Sequence, residues 1–191
     1  MTKGRIEAFS DGVLAILITI MVLELHVPHG SGLAALRSLV PTLLSYAMSF
    51  VFLGIYWNNH HHLFQAVRHV NGAVLWANLH LLFWLSLTPF VTAWMGGNNF
   101  SKDAVAVYGI VLFMSGIAYT IMTIALLRIH DADSPLAIAL GRDFKGKLSL
   151  AIYALGIALA FVQPLVSCAL YVAVAIIWLV PDRRIERTLH S

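Results

Sequence analysis

Long apolar runs alternate with short polar stretches along the whole chain, and this pattern predicts helices that span a membrane. Clusters rich in glycine, proline, asparagine and histidine separate most of the runs and mark their ends. The pattern predicts six spans, at about 5–27, 41–64, 70–95, 104–127, 148–162 and 165–180. Five spans is the competing count, because the last two runs are short for a hydrocarbon core of about 30 Å.

The composition agrees with a membrane protein. The chain has 191 residues, of which 60% are hydrophobic and 11% charged, and its mean hydropathy is +0.83. A soluble domain of this length could not bury so much apolar surface, so we expect an all-α polytopic membrane protein with residues 1–191 in one domain. Cys168 is the only cysteine, which excludes a disulfide within the chain.

The positions of the basic residues favour six spans. With six, ten basic residues share one side of the membrane and only Arg37 and Lys102 lie on the other. This bias predicts that both termini are cytoplasmic. Five spans would place the basic tail outside, and no basic patch suggests binding to nucleic acid. The ten residues are Lys3, Arg5, Arg68, Arg128, Arg142, Lys145, Lys147, Arg183, Arg184 and Arg187.

The first span has two distinct faces when it is drawn as a helix of about 100° per residue. Ile16, Ile20 and Leu23 fall on one narrow apolar stripe, and Thr19 lies at its edge. Asp11 lies on nearly the opposite side. A charge inside a membrane span is costly and usually functional, although an apolar stripe by itself also suits lipid contact or packing.

Two motifs resemble a known family. Arg5-x-x-x-Phe9-Ser10-Asp11-Gly12 runs directly into the first span, and Trp57-x-x-His60-His61 ends the second. Together they resemble the transmembrane protein 175 family of potassium channels, and the resemblance covers essentially the whole chain. One set of six spans is similar to the bacterial members, which carry a single repeat where animal members carry two.

The resemblance implies a potassium-permeable homotetramer in the inner membrane of a prokaryote, with four copies of the first helix lining a central pore. It maps the narrowest, hydrophobic constriction onto Ile16 and the next apolar layers onto Ile20 and Leu23. It maps the threonine linked to selectivity onto Thr19. A serine of the animal first repeat is Ala15 here, so we expect weak to moderate selectivity for potassium over sodium.

The charged residues of the first span suggest two further roles. Glu24 lies nearer the outer end, where four copies would concentrate cations at the pore mouth, or where it is simply a solvated acid. We also predict a structural polar network that fixes the angle of the first helix. Its members are Arg5, Ser10 and Asp11 of the first span, His60 or His61 of the second, and Asn78 or His80 of the third.

Other chemistries are less well supported. Proton-coupled secondary transport through Asp11 and the membrane histidines is the alternative function. Adjacent histidines at 60–62 point about 100° apart and suit a shared metal poorly, and His26 and His29 lack further ligands. No motif of an enzyme or nucleotide site is present. We therefore expect no enzyme activity, metal or cofactor, and the expected partners are other copies of the chain, lipid and permeant potassium ions.

Overall fold

The computed structural model is all-α and describes residues 2–28, 32–131, 134, 136–137 and 143–179. The sequence also favours a short surface helix over 135–144, most of which lies outside these residues, and the basic tail lies wholly outside them. Helices α3 and α4 are separated by one residue and form one continuous candidate span, so the described residues hold six helical segments, which is the number of spans predicted. The elements are α1 (Lys3–Leu23), a 3₁₀ helix (Leu33–Leu39), α2 (Val40–Gln65), α3 (Gly72–Ser86), α4 (Thr88–Gly97), α5 (Lys102–Leu127), α6 (Phe144–Ala160) and α7 (Pro164–Leu179).

Two helix ends have clear local causes. Helix α1 ends at Leu23, earlier than the predicted boundary near residue 27, and its last turn tightens as the Glu24 N–H donates to the Met21 carbonyl at 3.3 Å. The break between α3 and α4 lies just before Pro89, where the sequence predicts a kink. Proline lacks an N–H donor and its ring clashes with the preceding turn, so a helix breaks or bends there.

Four segments of the described chain are long and apolar enough to cross a membrane: α1, the 3₁₀ helix with α2, α3 with α4, and α5. Helices α6 and α7 have 17 and 16 residues. At about 1.5 Å per residue each reaches roughly 25 Å, which is short of a hydrocarbon core of about 30 Å. The shortness expected for the last two spans is therefore present in the structure.

The helices enclose two hydrophobic cores that meet at α5. The first core includes Leu14 of α1, Leu81 of α3 and Met122 of α5. The second includes Tyr108 of α5 and Tyr171 of α7, together with residues of α2, α4 and α6. Helix α1 packs against α2, α3 and α4 and takes part only in the first core. It therefore has one face that its own subunit leaves uncovered.

Small and hydroxyl-bearing residues let α2, α4 and α5 approach closely. A Cβ atom on Gly96 of α4 would lie 2.7 Å from the Cα of Thr42 in α2, so no larger residue fits there. The Ser49 hydroxyl lies 2.6 Å from that of Thr92 and 2.9 Å from that of Tyr108. Small residues and hydroxyl bonds of this kind are how membrane helices associate, because lipid supplies no hydrophobic drive.

Hydrogen bonds join several chain segments at one end of the molecule. The Lys3 ammonium donates to the Gln65 carbonyl at 3.3 Å, and the Arg68 N–H donates to His130 Nε2 at 3.1 Å. The start of α1, the end of α2 and the end of α5 therefore meet, and they carry four of the predicted cytoplasmic residues. Arg142, Arg183, Arg184 and Arg187 lie outside the described residues.

Candidate pore-lining face of the first helix

The apolar stripe of α1 faces away from its own subunit. Ile16 is 57% exposed, Ile20 41% and Leu23 76%, although all three are aliphatic. The side of the helix that faces the subunit holds its buried residues, which are Ile6, Ser10, Leu14, Leu17 and Met21. The predicted stripe is therefore part of the face of α1 that the subunit leaves uncovered.

Oxygen atoms border this stripe at two levels. Thr19 is exposed, and its hydroxyl lies 2.9 Å from the Ala15 carbonyl and 3.0 Å from the Ile16 carbonyl. It donates its single proton to the helix backbone, which leaves the oxygen lone pairs able to accept a cation. Glu24 follows α1 directly and is exposed, and its carboxylate has no hydrogen bond or ion pair among the described residues.

A buried polar network anchors the opposite side of α1. The Asn78 amide donates to the Ser10 hydroxyl at 3.0 Å, and His60 Nε2 donates to the Asn78 carbonyl oxygen at 2.8 Å. All three side chains are buried, and they join α1, α3 and α2. The His60 ring also stacks on Phe64, with ring centroids 4.4 Å apart. Because each hydrogen bond satisfies a buried polar group, removing one side chain would leave another buried polar group without a hydrogen-bond partner.

The structure separates Arg5 and Asp11 from this network. Asp11 is exposed and accepts a hydrogen bond from Trp57 Nε1 at 3.0 Å. Arg5 is exposed, and its guanidinium has no hydrogen bond or ion pair among the described residues. The physical reason is helical geometry, since adjacent residues such as Ser10 and Asp11 point about 100° apart and only one can face α3.

The other two predicted histidines make local contacts instead. His61 lies 2.8 Å from the Gln65 side-chain nitrogen and stacks on Trp57, while His80 accepts a hydrogen bond from Trp84 Nε1 at 3.0 Å. Of the seven residues predicted for the polar network, the structure joins Ser10, His60 and Asn78 by hydrogen bonds. The role of Trp57 as a donor to Asp11 was missed, although Trp57 belongs to the second motif.

The described residues include no group of three or more histidine, cysteine or acidic side chains close enough to bind a metal ion. His29, one of the two histidines considered as zinc ligands, lies outside the part of the chain that the structure describes.

Comparison with known proteins identifies the family. A family model described as the endosomal/lysosomal potassium channel TMEM175 matches residues 5–89. A protein of Chryseobacterium sp. named as a potassium channel is 57% identical over 191 residues, which is the whole of both chains. The chain belongs to the TMEM175 family. A relative from Streptomyces collinus, also named as a potassium channel, is 35% identical over 175 residues, which are 84% of each chain.

The fold is also that of a TMEM175 channel. The crystal structure of a lysosomal potassium-selective channel TMEM175 homolog from Chamaesiphon minutus matches with a TM-score of 0.82 and 28% identity, covering 94% of this chain and 97% of that one. Human TMEM175, named as an endosomal/lysosomal proton channel, is 33% identical over 153 residues, which are 70% of this chain and 30% of the human protein. The predicted family and the predicted all-α, multi-pass membrane fold are confirmed. These relatives are named as ion channels, in agreement with a non-enzymatic protein.

Proposed function

We propose that this protein is a potassium-permeable cation channel that works as a homotetramer with four α1 helices around a central pore. The observation that carries the proposal is the exposed stripe of Ile16, Ile20 and Leu23, which the subunit leaves uncovered. The bacterial relatives named as potassium channels support it, one of them being 57% identical. Four copies of the stripe facing one axis would bury it and give it a function.

The stripe suits a hydrophobic constriction. A ring of Ile16 side chains narrower than a hydrated ion would gate the pore by excluding water, and Ile20 and Leu23 would add two further apolar layers. The Thr19 hydroxyls would supply oxygen atoms to a partly dehydrated ion at the edge of the ring. Such a pore passes potassium more readily than the more strongly hydrated sodium, so we propose weak to moderate selectivity and no resident cofactor.

Charge and topology set the orientation that we propose. Four Glu24 carboxylates would lie at the outer mouth and concentrate cations there. Both termini would be cytoplasmic, because the basic residues at the start of α1 and the ends of α2 and α5 share one end. The bilayer would be the inner membrane of a prokaryote, in keeping with the bacterial relatives.

Proton-coupled transport is the second candidate, because human TMEM175 is named as a proton channel. In this chain the proton route would use Asp11 and the membrane histidines. Asp11 lies on the exposed side of α1 but about 140° from the stripe, and His60 is buried in the Ser10–Asn78 network. Asp11 and His60 thus belong to separate hydrogen-bonded groups, which favours the passive channel.

The test is a planar-bilayer recording of the purified protein with opposed potassium and sodium gradients. We expect a four-subunit particle in detergent, ohmic single-channel currents and a reversal potential shifted toward that of potassium. Transport without resolvable single-channel events, coupled to a proton gradient, would establish the carrier instead. A stable monomer that carries no ion flux would exclude both functions.

A further inference from the structure

The exposed stripe of α1 extends beyond the proposed constriction toward the amino-terminal end of the helix. Phe9 lies about 20° from Ile16 around the helix axis, and Arg5 lies about 20° to the other side. Phe9 is 52% exposed, and Arg5 is exposed as well. Gly12, between Phe9 and Ile16, falls about 40° from Ile16 and adds no side chain to the face.

Arg5 is also placed differently from the neighbouring lysine. Lys3 points about 140° away from Ile16 and donates to the Gln65 carbonyl at 3.3 Å, so its charge is turned toward the subunit's own α2. The Arg5 guanidinium has no hydrogen bond or ion pair among the described residues. An unpaired guanidinium at the end of a membrane helix is costly unless it meets water.

We infer that Phe9 and Arg5 complete the ion pathway at its amino-terminal mouth, an inference that rests on the proposed tetrameric channel. Phe9 forms a second apolar ring about 10 Å from the Ile16 ring along the axis, and Arg5 forms a ring of four positive charges about 16 Å from it. The two mouths of the pore then differ in charge, because Glu24 gives one a ring of carboxylates and Arg5 gives the other a ring of guanidinium groups.

This arrangement has a measurable electrical consequence. The Arg5 ring lowers the local concentration of permeant cations at its mouth, whereas the Glu24 ring raises it at the opposite mouth. Current that enters from the Glu24 side is therefore larger than current that enters from the Arg5 side. The difference depends on salt, because the screening length falls from about 30 Å at 0.01 M to about 3 Å at 1 M.

The decisive variant is Arg5→Gln, recorded in planar bilayers beside Lys3→Gln as the matched control. At about 0.01 M KCl we expect Arg5→Gln to raise current entering from the amino-terminal mouth by about two- to fivefold, and to have little effect at 1 M. Lys3→Gln removes the same charge from a position that faces the subunit and lies farther from the axis, so it raises the current by a clearly smaller factor. Arg5→Lys keeps the charge and retains wild-type rectification.

Chemical modification tests the same position without relying on one folded variant. In a Cys168→Ser background, Arg5→Cys is treated with methanethiosulfonate reagents of opposite charge. The cationic reagent returns the current toward the wild-type value and the anionic reagent raises it further. Phe9→Ala raises the single-channel conductance at least about twofold, while Phe90→Ala, at an exposed phenylalanine of α4, leaves it unchanged.

The outcomes separate this inference from the proposed function. A wild-type protein that carries no potassium current contradicts the channel itself. A conducting wild type with no rectification at low salt, or equal effects of Arg5→Gln and Lys3→Gln, overturns the Arg5 vestibule and leaves the channel in place. If Arg5→Gln fails to assemble, two other measurements test the inference. They are the salt dependence of rectification in the wild type and the response of Arg5→Cys to the two methanethiosulfonate reagents.

Discussion

Helices α1 and α5 are almost equally apolar, yet α5 lies in the interior of the subunit and α1 at its edge. Helix α5 lies between the two cores and buries twelve of its 26 residues. Helix α1 lies at the side and buries five of 21. Hydrophobicity therefore says that a helix enters the membrane but not what surrounds it there.

The exposed residues show what surrounds each helix. Beyond its first turn, α5 exposes only Ile110, Ile121 and Ile124, which suit contact with lipid chains. Beyond its own first turn, helix α1 exposes Asp11 and Thr19 in addition to apolar residues. Charged side chains facing lipid are costly, so the uncovered face of α1 requires water or other copies of the chain. Each prediction below compares a position on α1 with its counterpart on α5 or α2.

The largest expected difference in stability is between alanine substitutions at a glycine of α5 and at a glycine of α1. A Cβ on Gly109 of α5 would overlap the Tyr171 hydroxyl and lie 2.9 Å from Ile157 Cγ1, whereas one on Gly12 of α1 meets no atom within 4 Å. Gly109→Ala should therefore destabilise the subunit by about 1–3 kcal/mol or more through overpacking. Gly12→Ala should leave the subunit fold unchanged or stabilise it by up to about 1 kcal/mol.

The measurement is thermal unfolding of each purified variant in detergent, followed by circular dichroism. Equal loss of stability in the two variants would show that the Gly12 face is already covered within one subunit. A Gly12→Ala variant that folds but no longer forms tetramers would instead place the neighbouring subunit on that face.

Two buried serines give the next largest difference. Ser10 of α1 and Ser115 of α5 are both almost fully buried, but Ser10 bonds to Asn78 whereas Ser115 Oγ has no hydrogen-bond partner among the described residues. Ser10→Ala should lower the free energy of unfolding by about 1–3 kcal/mol, because it leaves the buried Asn78 amide without its acceptor. Ser115→Ala should be neutral or slightly stabilising. The same unfolding assay measures both, and equal effects would mean that the hydrogen bond between Ser10 and Asn78 adds no stability of its own.

The sequence was sufficient to predict the helices and the exposed stripe, because both follow from local periodicity. Pro89 predicts the break between α3 and α4 since a proline acts on its own turn. The network was harder to predict. A helical wheel gives the angle between Ser10 and Asp11 but not which of them faces α3, which depends on the packing of three helices. The wheel does place Arg5 beside the stripe, and the predicted grouping of Arg5 with Asp11 overlooked this angle.

The third prediction tests the stripe itself. Ile16→Asn in α1 should raise potassium flux at least about tenfold, equivalent to roughly 1.4 kcal/mol off the permeation barrier, because a polar ring keeps the constriction wet. Selectivity for potassium over sodium should fall as well. Ile121→Asn makes the same change on the exposed face of α5 and should leave flux unchanged. Liposome flux assays measure both variants, and unchanged conductance and selectivity in Ile16→Asn would remove Ile16 as the constriction.

The smallest expected effect concerns the contact between Asp11 and Trp57 on the exposed side of α1. Asp11→Asn removes the charge but keeps an oxygen to accept from Trp57 Nε1, whereas Trp57→Phe removes the donor and keeps the charge. Because this contact is exposed, each variant should lose about 1 kcal/mol of stability or less and should keep the tetramer. If Asp11 only orients α2 against α1, the dependence of potassium flux on pH should be the same in Asp11→Asn and in the wild type. If the wild-type flux depends on pH and a folded Asp11→Asn tetramer loses that dependence, the result would favour the proton-coupled alternative. In that case Trp57→Phe, which retains the Asp11 carboxylate, should keep the pH dependence of the flux.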